Sequence, residues 1–101
     1  MARILEQDAQ KMLANVPEEY VFRCCDGRVL KNMAELNNAL SSMSEETFAF
    51  HANTAKNDFR NWVRDIIKDE KLTRDLNKAT SRSQALKSVS ARLAFLQNKL
   101  T

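Results

Sequence analysis

A chain of 101 residues with one glycine and one proline has very little to turn with. β-Sandwiches and barrels reverse direction every few residues, and they draw on turn-forming residues to do it. A chain this poor in breakers is built economically from helices joined by short connections. Its length suffices for one domain, 1–101, around one core. Hydrophobic residues make up 44% and charged residues 29%, as in an ordinary globular chain. The expected fold is therefore mainly α: a compact bundle of about six helices, with one short β-hairpin near residues 20–30.

The hydrophobic spacing places these elements. Ile4, Leu5, Ala9, Met12, Leu13 and Val16 recur at helical intervals, which predicts an amphipathic helix over 2–15 that Pro17 stops. Tyr20 to Cys24 and Arg28 to Leu30 are two β-prone runs around Asp26-Gly27, a strong short-range hairpin signal. Such a hairpin is marginal alone and must lie on the helices. Asn32 followed by Glu35 has the spacing of a capping box and opens a helix over 33–42. Ser44 opens another through Ala52. Asn57-Asp58 precedes Phe59, Trp62, Val63, Ile66 and Ile67, the clearest core-facing stripe in the chain. Asp69 starts a short helix carrying Leu72, Leu76 and Ala79. Ser81 with Gln84 caps the last helix, over 82–99. There Leu86, Val89, Leu93, Leu96 and Leu100 form the expected packing seam.

Residues from about Tyr20 to Val89 resemble a small prokaryotic family known only as a domain of unknown function. The likeness is densest in Leu30-Lys31-Asn32, Met43-Ser44, Glu46-Thr47-Phe48, His51, Asn53, Lys56-Asn57-Asp58-Phe59, Trp62-Val63-Arg64-Asp65 and Asp69. The N-terminal helix, 1–16, lies outside it. The resemblance implies a helical domain and supplies no activity.

Composition narrows the setting. The N-terminus lacks the apolar run of a secretory signal, and no stretch approaches the ~20 apolar residues that span a bilayer. Cys24 and Cys25 are adjacent, which ordinary disulfide geometry disfavours. A reducing cytoplasm with no membrane partner is the expectation. The net charge of +3 is unevenly spread. Residues 1–50 hold 5 basic and 8 acidic side chains, a balance of −3, and residues 51–101 hold 11 and 5, a balance of +6.

Each candidate site has a functional and a structural reading. His51, the one histidine, serves either as a proton shuttle or as a partly buried imidazole bonded to Asp58, Asp65 or a carbonyl. The structural reading is favoured, because no nucleophile stands near it in the sequence. A metal site from Cys24, Cys25 and His51 lacks both the spacing of a zinc knuckle and a fourth ligand. One cysteine is expected inside and the other outside. No glycine-rich phosphate loop exists, so no cofactor is expected. Arg60, Arg64 and Lys68, with Lys71 extending them, form a basic stripe for an acidic partner or for nucleic acid, or else a solvated face. Phe95 lies away from the leucine seam on a strip with Ser88 and Ala91, and is the candidate anchor for a protein partner or a second copy. The leading expectation is a non-enzymatic interaction or self-association module; the alternative is a nucleic-acid-binding accessory protein using the basic half.

Overall fold

A computed structural model describes residues 4–100 of the chain. Among the described residues, six α-helices and one two-stranded antiparallel sheet make up the fold. The helices are α1 (Glu6–Leu13), α2 (Met33–Ser42), α3 (Glu45–His51), α4 (Asp58–Trp62), α5 (Glu70–Lys78) and α6 (Arg82–Asn98). The strands are β1 (Phe22–Arg23) and β2 (Val29–Leu30). This is the mainly α bundle with a short hairpin that the scarcity of turn residues predicts.

The ends of the helices explain their lengths. Asn32, Ser44, Asn57, Asp69 and Ser81 each accept a hydrogen bond from the backbone N–H three residues on, satisfying a donor the helix leaves open. The reciprocal bond of the capping box is displaced by one residue at two of these sites. Glu35 accepts from the Lys31 amide, and Gln84 accepts from Thr80. Within the described residues α1 is shorter than its pattern suggests; residues 2–3 of the expected span lie outside them. The chain leaves the helix after Leu13 because the Val16 amide bonds the Lys31 carbonyl, and Asn15 bonds Asn32. That attachment to the hairpin's exit needs extended backbone.

The hairpin is tighter than expected. Phe22 pairs with Leu30 and Arg23 with Val29, while Tyr20 sits in a preceding 3-10 turn. Gly27 takes φ 96°, the conformation that makes glycine the apt residue in this turn. The inner face of the hairpin gives Phe22 and Leu30 to the core, and Phe22 stacks on Phe59 at 5.1 Å. Trp62 is buried as its stripe predicts, and its indole N–H donates to the Tyr20 carbonyl at 2.8 Å. One bond thus fastens the 3-10 turn that leads into the hairpin to α4.

Two departures matter for the surface. First, the helix that begins as α4 continues through Val63–Ile67 as a π-helical turn, closed by the Lys68 amide bonding the Val63 carbonyl at 2.7 Å. Lys68 then adopts φ 65°, and Asp69 starts α5 at once. Second, α6 is rotated from its leucine seam. Ala85, Val89, Arg92 and Leu96 are the buried positions, Leu86 and Leu93 are only partly covered, and Leu100 is exposed. α6 packs against α2, α1 and α5, so its buried surface is not a single stripe. No helix among the described residues is long and apolar enough to cross a membrane.

Candidate functional site: the groove along the last helix

Rotation of α6 turns Arg92 inward, and the reason is Asp69. That carboxylate is 0% exposed at the start of α5. One oxygen caps the helix by accepting from the Leu72 amide at 3.2 Å, and the other accepts from Arg92 Nε at 2.7 Å. A buried carboxylate without such partners would be strongly destabilising. Burying Arg92 against it draws the neighbouring positions of α6 towards α5.

The same rotation opens a groove of about 1080 Å³ whose walls come from α1, α5 and α6. Ile4 and Met12 line one side; Lys68, Lys71 and Arg74 line the second; Lys87, Ser88, Ala91, Arg92, Phe95 and Lys99 come from α6. Phe95 is 42% exposed. Its ring carries two cations, with Arg92 Cζ and Lys99 Nζ each 5.1 Å from the centroid. The partner-binding candidates Phe95, Ala91 and Ser88 therefore share one surface with Lys68 and Lys71, two members of the basic stripe.

The remaining stripe residues lie elsewhere and are held by neighbours. Arg60 donates to Asn61 and Asn77. Arg64 pairs with Asp65 at 2.8 Å, and the pairing holds the Asp65 carboxyl below the ordinary carboxylate value. Arg64 also borders a smaller hollow of about 450 Å³ with Lys68, Glu70, Thr73 and Arg74. Lys71 pairs with Asp75 one helical turn away. The π turn changes the spacing that a four-residue repeat assumes, so the stripe does not run as one straight α-helical row, although Arg64 and Lys68 still border the same hollow.

His51 is a clamp for the hairpin. It is buried, its Nδ1 lies 2.9 Å from Asp58, and its Nε2 accepts the Cys25 amide at 2.9 Å. Accepting at Nε2 places the proton of the neutral ring on Nδ1, towards Asp58. Phe22, Phe50 and Phe59 surround the ring. Burial pushes the Asp58 carboxyl up, but hydrogen bonds from His51 and Lys56 outweigh it and the group titrates below its ordinary value of 3.8. The two thiols divide as expected, Cys24 buried and Cys25 exposed. Burial raises the Cys24 thiol. Among the described residues no three His, Cys, Asp or Glu side chains are grouped to hold a metal ion.

Sequence reasoning missed Arg92, Arg74, Lys87 and Met12 as neighbours of Phe95. Asp69 carries the available signal: an acid inferred to be an N-cap, directly beside a core-facing stripe, needs a cation if it is buried.

Compared with protein-family models, curated proteins and solved structures, the chain matches none.

Proposed function

We propose that this protein is a non-enzymatic interaction module that receives a protein partner, or a second copy of itself, in the groove between α1, α5 and α6. The observation that carries this reading is Phe95, a large apolar side chain left open in a concavity of about 1080 Å³. Exposed single hydrophobes are ordinary on a convex surface. An aromatic in a groove, flanked by Ala91 and Ser88, is the arrangement that anchors a partner's side chain. The non-enzymatic reading is supported by His51, whose two ring nitrogens are committed to Asp58 and to a backbone amide. It has no free nitrogen with which to act as a base.

Phe95→Glu tests this reading. The variant should keep the helical circular dichroism of the parent and lose its associations, read by sedimentation velocity and by cross-linking in cells. An unchanged oligomeric state together with an unchanged partner profile would overturn it.

Nucleic acid is the second reading, favoured by the six cations that line the groove: Lys68, Lys71, Arg74, Lys87, Arg92 and Lys99. Acidic Asp8, Asp69, Glu70 and Asp75 line it too and weaken the field that a phosphate backbone would meet. Anisotropy titration with labelled duplex and single-stranded DNA and RNA separates the two readings. Binding that survives physiological salt would favour nucleic acid.

A further inference from the structure

We infer that the groove reads a carboxylate: it docks an acidic segment of another protein, with an Asp or Glu side chain on Arg92 and an apolar side chain on Phe95. The inference rests on the docking role proposed for the groove and names what docks there. Arg92 is only 9% exposed, and it spends Nε on Asp69. Neither of its Nη groups makes a hydrogen bond within the described residues. Yet no buried side-chain nitrogen or oxygen among those residues lacks a partner. The Nη edge therefore keeps a narrow contact with solvent, and Arg92 lines the groove. A guanidinium held in place by Asp69 presents a planar donor fork, which matches a carboxylate and loses little freedom on binding it.

The charges around the fork point the same way. Lys68, Arg74, Lys87 and Lys99 line the groove with no ion pair among the described residues. Most of the acids there are already engaged. Asp69 serves Arg92 and the α5 cap, Asp75 serves Lys71, and Asp8 accepts the Leu5 amide. The surface facing an incoming chain is therefore positive around an apolar floor of Ile4, Met12, Ala91 and Phe95. Spaced carboxylates can meet the free cations and avoid Glu70, whereas a phosphate at every nucleotide cannot. A second copy would have to bring its acidic half to this basic one. A two-fold pair could do so only by setting the acidic half of each copy against the groove of the other, and the test below reads that outcome as a dimer.

The test uses the full chain, immobilised, to select random peptides displayed on phage, with counter-selection on Phe95→Glu. Enriched peptides should carry Asp or Glu beside Leu, Ile or Phe. A labelled synthetic copy should bind in an anisotropy titration and weaken by about ten-fold or more when its acids become amides, a loss typical of a charge-assisted pair. Arg92→Lys should weaken it similarly, since it keeps the charge beside Asp69 and removes the fork. Should that variant fail to fold, the exposed substitutions Lys87→Glu and Lys99→Glu give the same reading, with circular dichroism as the folding control. Peptides that bind equally well as amides would overturn the carboxylate reading and leave the groove as a docking surface. If no peptide distinguishes the parent from Phe95→Glu, the docking reading fails as well. RNA or DNA that displaces the peptide at physiological salt, or a dimer that Phe95→Glu abolishes, would overturn the inference in favour of that occupant.

Discussion

At the scale of single residues, His51 and Asp58 form a catalytic-looking pair whose hydrogen bonds join two parts of the fold. The ring holds the Cys25 amide on one side and a carboxylate on the other, so it joins the hairpin turn to the start of α4. Asp58 also meets Lys56 at 3.1 Å. Because these partners favour its ionised form, Asp58 gives up its proton more readily folded than unfolded. On acidification the unfolded chain takes up that proton first, and the stability Asp58 contributes is lost progressively. That contribution should be complete above the ordinary carboxylate value of 3.8 and vanish as pH falls through the lower folded value. Urea melts across the acid range check this: Asp58→Asn should flatten the acid limb of stability relative to the parent. The choice of Asp58 over Asp65 was open in the sequence, since both lie within reach of His51 along the chain. Asp65 pairs instead with Arg64 on the surface.

At the scale of elements, the five caps were legible because a cap is local. Its acceptor and donor lie three residues apart and need no distant partner. The π turn was not legible. Val63 to Ile67 carry the apolar spacing of an ordinary helix, and nothing in that spacing signals the wider turn. Its cost is visible at Lys68, a non-glycine residue at φ 65°. Left-handed backbone is unfavourable for a residue with a Cβ, by roughly 1–2 kcal/mol. Lys68→Gly should recover part of this, about 0.5–1 kcal/mol after the extra freedom glycine gives the unfolded chain. A rise in the urea midpoint at constant slope would confirm it, and a fall would show that the lysine side chain stabilises the turn. A β-branched residue at the same site should be destabilising.

At the scale of the molecule, the buried pair of Asp69 and Arg92 links α5 to α6 and sets the shape of the groove. Breaking such a pair leaves one charge stranded, which costs about 3–5 kcal/mol. Arg92→Met should therefore lower stability by that order, as followed by the emission of Trp62. Trp62 is 7% exposed and its indole is hydrogen-bonded to the turn before the hairpin, so native emission should be blue-shifted and should move red on unfolding. A variant as stable as the parent would mean that Asp69 finds another partner. The radius of gyration, 12.9 Å, is that of about 100 residues packed around one core. In a molecule of this size one rotated helix alters a large share of the surface.

The sequence by itself determined which segments are helical, where α2 to α6 start, where the hairpin turns and that Trp62 is buried. Each of these follows from short-range rules: capping geometry, the period of apolar residues, and the glycine that accepts positive φ. Only the tertiary structure decided the face that α6 buries. The leucine seam and the seam through Ala85, Val89, Arg92 and Leu96 lie close together on the same helix, sharing Val89 and Leu96. The choice between them depends on a carboxylate 23 residues away that has to be neutralised. A polar group buried from one element sets the rotation of another, and no local period encodes that. The groove, and with it the meeting of Phe95, Arg92 and the lysines that have no ion pair among the described residues, follows from that rotation.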